Sequence, residues 1–233
     1  MRLIVGNDAR AAAHLAAEEL ARACRQAVAE RGRALIAVSG GETPWLMIED
    51  LAARNLPWTS IHVAQVDERC APRGDAHRNL GRLEELLVGS GPLAAAQLLA
   101  MPVEAEDLEA AAQNYASRLA LCGGCPPVFD VVQLGLGEDG HTASLVPGDA
   151  VLQVDDRDVA LTAPYRGLRR MTLTLRALSR ARERLWLVTG AAKADRLAEL
   201  LDGRGEAPSV RVTRSAAVVV ADRAAVAPRI TPT

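Results

Sequence analysis

The chain has 233 residues, 27 Lys and Arg against 29 Asp and Glu, and is 49% apolar, which is enough for a substantial core at roughly 100 to 200 residues per domain. A net charge of -2 with interspersed signs offers no broad field for nucleic acid or an anionic membrane, so neither is expected as a partner. The longest uncharged stretch, residues 86–103, is broken by Gly89, Ser90, Gly91, Pro92 and Pro102 and reads as loop rather than as a membrane span.

From the N-terminus, three apolar residues precede Gly6-Asn7-Asp8, too few for a secretory leader, and a cytoplasmic protein is expected. Residues 3–5 read as a first strand and residues 8–31 as a helix closed by Gly32. Further apolar runs follow at 34–38, 61–66, 98–101, 128–134, 159–162, 171–175, 185–188 and 217–220. Helical periods fill most of the gaps, at 44–53, 79–87, 106–121 and 191–201, the last with Leu197, Leu200 and Leu201 on one face. Strands separated by helices pair in parallel through right-handed crossovers. The expected fold is therefore α/β, a doubly wound, mostly parallel sheet with helices on both faces. Residues 166–170, between two short strands, leave room for a small antiparallel appendage. No repeat, charge block or low-complexity linker divides the chain, and residues 1–233 are read as one domain.

Four unusual segments begin where apolar runs stop: Ser39-Gly40-Gly41-Glu42-Thr43-Pro44, Asp67-Glu68-Arg69, Gly135-Leu136-Gly137-Glu138-Asp139-Gly140-His141, and Thr189-Gly190-Ala191-Ala192-Lys193. Each reads as a strand-end loop, and in an open parallel sheet such loops converge on one edge, where ligands bind. In the first, Ser39, Gly40 and Gly41 lead to Thr43 as N-cap and Pro44 at the first helical position. Backbone N–H groups, a helix start and two hydroxyls make an anion cradle, although a plain Gly-Gly turn fits the same residues. Neither the nucleotide P-loop pattern nor the dinucleotide fingerprint is present.

Lys193 is the only lysine among the 27 basic residues. A compact ammonium at a strand-to-helix turn suits a phosphate or hydroxyl, the alternative being a solvated helix face. Arg170 is a second candidate phosphate clamp, with Arg169 pointing to the opposite side of its strand. Asp67 and Arg69 either line the crevice or form an ion pair that pins their loop. Among glycines that free the backbone, His141 reads as a base for water, with Asp139 or Glu138 as the carboxylate that orients it. His14, His62 and His77 read as structural. Ser144 lacks the Gly-x-Ser-x-Gly elbow, no metal-ligand set is recognisable, and Cys24, Cys70 and the Cys122-Gly-Gly-Cys125 pair read as reduced thiols.

Taken in order, residues 39–44, Asp67-Glu68-Arg69 with Asn79, Gly135 through Pro147, Arg170-Met-Thr-Leu-Thr, Thr189 through Lys193 and Asp222-Arg-Ala-Ala225 resemble the 6-phosphogluconolactonase family, within the wider glucosamine-6-phosphate isomerase group. The resemblance spans nearly the whole chain, with Val146 in place of the usual phenylalanine and Arg78 in place of the common serine. It implies cofactor-free hydrolysis of 6-phosphogluconolactone, with no obligate protein partner. His141 would be the base and Asp139 its support. Substrate would be held by the Ser39 loop, Thr43, Arg170 and Lys193, with Arg69 facing the lactone or phosphate. Two rivals remain: an isomerase or deaminase of glucosamine 6-phosphate, whose group shares the Asp-Gly-His segment, and a non-catalytic sugar-phosphate sensor.

Overall fold

The computed structural model describes residues 1–230. Strand β1 (Arg2–Gly6) leads into α1 (Ala9–Arg31), which Asp8 caps by accepting from the Ala11 N–H at 2.8 Å and left-handed Gly32 closes. There follow β2 (Ala34–Val38), α2 (Glu42–Ala52), β3 (Ile61–Gln65), β4 (Asp67–Arg69), α3 (Asn79–Leu83), β5 (Leu98–Leu99), α4 (Leu108–Gly123) and β6 (Val131–Leu134). The second half runs β7 (Val159–Leu161), β8 (Arg170–Leu173), α5 (Leu175–Arg180), β9 (Glu183–Val188), α6 (Ala194–Asp202), α7 (Pro208–Arg211), β10 (Ala217–Asp222) and α8 (Arg223–Ile230).

Seven strands form one parallel sheet in the order β1-β10-β9-β6-β2-β3-β5, and β4-β8-β7 form a small antiparallel sheet. Residues of β2 are buried on both sides, as its unbroken apolar run requires of a central parallel strand. Leu35 and Ala37 join the core shared with α4, α5 and α6, whereas Ala34, Ile36 and Val38 join the core shared with α1 and α2. From β2 the chain moves outward to β3 and β5, and from β6 it moves the other way to β9. The order therefore reverses between β2 and β6, where a crevice opens at the C-terminal ends of the strands.

Several expected boundaries shift. Asp67-Glu68-Arg69 is not a loop but β4, paired Asp67↔Thr172, Glu68↔Met171 and Arg69↔Arg170 with β8. The appendage is thus a three-stranded sheet that includes this segment. The strand expected at 171–175 ends at Leu173, because Thr174 turns its N–H to the Asp158 carbonyl and α5 starts directly after it. The helix expected at 79–87 widens after Leu83 into a π-helical turn, Glu84–Gly89. The helix at 191–201 opens with one 3₁₀ turn, Ala191–Lys193. Among the described residues no helix is long and apolar enough to cross a membrane.

Candidate active site

The β2–β6 ladder stops at Ala37↔Val132, and a side chain takes over where the strands part. Gln133, fully buried in β6, accepts from the Ser39 N–H through Oε1 at 3.0 Å, while Ser39 Oγ donates to the Gln133 carbonyl at 3.1 Å. The Ser39 hydroxyl proton, expected to serve an anion, is thereby committed to the scaffold. Beyond this point the strand-end loops enclose a cavity of about 800 Å³. Its lining brings together all ten residues singled out from sequence: Ser39, Gly40, Gly41, Thr43, Asp67, Arg69, Asp139, His141, Arg170 and Lys193.

On the α2 side, the expected N-cap is corrected. Gly41, not Thr43, is the capping residue, it makes no side-chain cap bond, and the helix begins at Glu42. The first-turn N–H groups of α2 thus open onto the cavity without a side-chain cap. Thr43, two residues past the cap and inside the helix, reaches across to Thr189, with hydroxyls 2.7 Å apart. Pro44 sits third in the helix, where its missing N–H still costs no intrahelical bond. Gly40 is glycine for a reason of space: a Cβ there would lie 2.0 Å from Asn79 Oδ1.

That Asn79 oxygen accepts from Arg69 at 2.5 Å, and its amide donates to the Asp67 carbonyl. Behind them lies Glu68, completely buried. It accepts from the backbone N–H groups of Arg69, Asn79 and Leu80 and from Gln65 Nε2, and it pairs with Arg78 Nε at 3.2 Å. Arg78 therefore points away from the cleft. Asp67 is not paired with Arg69 either, since its Oδ2 accepts from buried Ser144 Oγ at 2.5 Å.

The β6 loop carries the His–Asp pair. A turn closed by Gly140 N–H to the Gly137 carbonyl brings Asp139 Oδ1 within 2.6 Å of His141 Nδ1, and the same oxygen accepts from the His141 backbone N–H at 3.0 Å. Gly137 makes room for the ring, because a Cβ there would lie 2.1 Å from Nδ1. Burial pushes the Asp139 carboxyl up, but the His141 hydrogen bonds and charge outweigh it and hold it below the usual range. An imidazole that donates Nδ1–H to this carboxylate would turn the lone pair of Nε2 away from it. Glu138, the other candidate partner, acts electrostatically on Lys193.

Arg69, Arg166, Arg170 and Lys193 all line the cavity, and none forms a salt bridge among the described residues. Arg170 is lowered from the ordinary arginine value by burial and by the charge of Arg69, with Asp67 and Tyr165 opposing. Burial likewise pulls Lys193 down, against Glu138, Asp222 and Glu42. Asp222 accepts from Gly190 N–H and Ala225 N–H, so it ties the lysine-bearing turn to α8. Arg169 faces outward toward Glu109, opposite its neighbour Arg170.

The remaining candidates lie elsewhere. His14 pairs with Asp50 and Glu18, His77 with Asp75, and half-buried His62 sits on β3. All four cysteines are free thiols, and the described residues contain no group of three or more His, Cys, Asp or Glu placed to hold a metal. Two polar cavity residues were not anticipated, Tyr165 and Arg166. The available signal was one of only two tyrosines, in a turn among arginines of a chain that is 3% aromatic.

A parallel sheet with a His–Asp pair and four cations that form no salt bridge among the described residues at its switch point makes an α/β scaffold with a cationic cleft. Residues 7–221 match the family model described as glucosamine-6-phosphate isomerases/6-phosphogluconolactonase. A 6-phosphogluconolactonase of Synechocystis is 40% identical over 75% of this chain and 74% of its own, and one of Mycobacterium leprae is 35% identical over 91% and 89%. The crystal structure of 6-phosphogluconolactonase from Thermotoga maritima superposes with a TM-score of 0.84 at 26% identity, covering 95% of this chain and 98% of that one. A monomeric glucosamine-6-phosphate deaminase reaches the same TM-score at 18% identity over 97% and 99%, which is a likeness of fold alone. The chain belongs to the glucosamine-6-phosphate isomerase/6-phosphogluconolactonase family.

Proposed function

We propose that the protein hydrolyses 6-phosphogluconolactone to 6-phosphogluconate, the second step of the oxidative pentose phosphate pathway. The observation that carries this reading is the placement, on one cavity, of an Asp-held imidazole and four cations that form no salt bridge among the described residues. Relatives named 6-phosphogluconolactonase support the lactone as substrate. A sugar phosphate has one strongly anionic end, and the uncapped start of α2, Arg170 and Lys193 are the groups suited to hold it.

With the phosphate fixed, the lactone carbonyl faces a water hydrogen-bonded to His141 Nε2. The imidazole takes one proton as the water oxygen bonds to the carbonyl carbon, and Asp139 stabilises the imidazolium that forms. The tetrahedral oxyanion is met by Arg69 or by loop N–H groups. When the intermediate collapses, the ring C–O bond breaks and the departing oxygen takes the proton back from His141. The pair returns to its starting state, and the scheme draws on no cofactor and no metal.

The deciding assay follows lactone opening with 6-phosphogluconate dehydrogenase as the coupling enzyme, corrected for spontaneous hydrolysis, beside a measurement of ammonia release from glucosamine 6-phosphate. Rapid opening with no ammonia is expected. Ammonia release without lactone opening would replace this reading with the deaminase, and binding of sugar phosphate with neither activity would replace it with a sensor.

A further inference from the structure

The link between β7 and β8 is a short arm over the cavity mouth. It is anchored at its base by Thr162 N–H to the Arg170 carbonyl, by Thr162 Oγ1 accepting from Arg170 N–H, and by Ala163 N–H to Asp149. At its tip Tyr165 and Leu168 pair, and Arg166 and Gly167 take positive φ angles of 52° and 84°. Tyr165 touches both chemical parts of the site. Its hydroxyl donates a long bond, 3.4 Å, to Asp139 Oδ2, the oxygen that does not bind His141. Its ring meets the His141 ring edge-on, with centroids 6.0 Å apart at 60°. The guanidinium carbons of Arg170 and Arg166 stand 5.0 and 5.3 Å from the centre of the same ring.

Arg170 has little else to orient it. Its Nε is buried with no hydrogen-bond partner among the described residues, and the charge of Arg69 repels it while Asp67 attracts it without forming a salt bridge. An aromatic face supplies attraction without neutralising the cation, which leaves the full charge for a ligand. A carboxylate there would compete with that ligand.

We infer that Tyr165 is a positioning residue that serves both halves of the proposed reaction, its hydroxyl steadying Asp139 behind the base and its ring aiming Arg170 at the phosphate of the substrate. This rests on the lactonase reading for the substrate, and its two halves separate chemically. Tyr165→Phe removes the hydroxyl and keeps the ring, while Tyr165→Leu removes both from a half-buried surface arm, leaving the core intact.

The experiment measures kcat and KM for 6-phosphogluconolactone together with calorimetric binding of 6-phosphogluconate. For Tyr165→Phe, kcat falls roughly 2- to 10-fold, the range for one lost hydrogen bond, with KM and product affinity unchanged. For Tyr165→Leu, kcat falls at least as far, and KM and the product Kd also rise, by roughly 3- to 30-fold. Product affinity in Tyr165→Leu equal to wild type overturns the ring's role, and kcat in Tyr165→Phe equal to wild type overturns the hydroxyl's. Equal losses of affinity in both variants overturn the division between them. Should the wild type open no lactone, the functional reading falls, and the binding arm still decides the role of the ring.

Discussion

The two walls of the cavity are built on opposite terms. On the β6 wall the His–Asp pair and its turn are held within the protein: Asp139 Oδ1 accepts twice from His141, and Thr142 Oγ1 donates to the Gly135 carbonyl. On the facing walls the cations Arg69, Arg166, Arg170 and Lys193 form no salt bridge among the described residues. The first wall is complete before any ligand arrives, as the proposed role of His141 as a base for a small, mobile water requires. The second would be completed by the anionic end of the proposed substrate. Damage to the first should therefore appear in kcat, and damage to the second in KM.

The sharpest break is at His141. Both His141→Ala and His141→Gln are expected to lower kcat by roughly 10² to 10⁴, with KM within a few-fold of wild type. The coupled assay reads this above the uncatalysed background, and near-normal turnover in both variants would remove the imidazole from the chemistry. Next in size is Glu68, which touches neither water nor substrate but holds three backbone N–H groups and Arg78. Replacing this buried partner leaves Arg78 only the half-exposed carboxylate of Glu104, at a cost of about 3 kcal/mol, so Glu68→Gln should melt well below wild type in a denaturation series. Because Arg69 and Asn79 lose their anchors together, its KM should rise as well. A variant with wild-type stability would show that Arg78 finds enough compensation in Glu104, 2.9 Å away.

The same contrast explains how much could be read from the sequence. The β6 wall is contiguous. Asp139 and His141 are two residues apart, so the partnership is a local event encoded in one glycine-rich turn. The facing cations come from β4, β8, the β7–β8 arm and the turn before α6, and each had to be singled out alone. Lys193 stood out by its rarity. Arg166 and Tyr165 carried no local signal of their place, because what brings them to the cavity is the pairing of β8 with β4. That pairing escaped notice because Asp67-Glu68-Arg69 has the composition of a loop, and its strand geometry comes from tertiary pairing rather than from hydrophobic alternation. Thr43 failed as a cap for a similar reason. Gly-Gly before it allows the helix to start earlier, and its hydroxyl then serves a contact 146 residues away. The alternating plan of strands and helices was legible throughout, since unbroken apolar runs with turn residues at their ends are what a doubly covered sheet demands.

A smaller effect is expected at Lys193, and it tests the second wall alone. Lys193→Ala should raise KM for the phosphorylated lactone by roughly 10-fold or more, the value of one charge-assisted contact, with kcat nearly kept. Unchanged saturation kinetics would place the phosphate elsewhere.

The smallest expected effect is in pH, and its sign follows from burial. Burial lowers the lysine from its ordinary 10.5, so in the free protein it loses its proton at a lower pH than a solvated lysine would. Between that lowered value and 10.5 the unfolded chain binds more protons than the folded one. Raising the pH through this window therefore adds slightly to stability by relieving a buried charge, while it removes a cation from the anion site. Binding should weaken as the fold gains. Calorimetric affinity for 6-phosphogluconate, which is stable in alkali where the lactone is not, should decline by a few-fold below pH 10.5 in the wild type. It should stay flat over the same range in Lys193→Met. Parallel pH curves for the two proteins would mean that the ammonium does not meet the phosphate, and the arginines alone would then carry the anionic end.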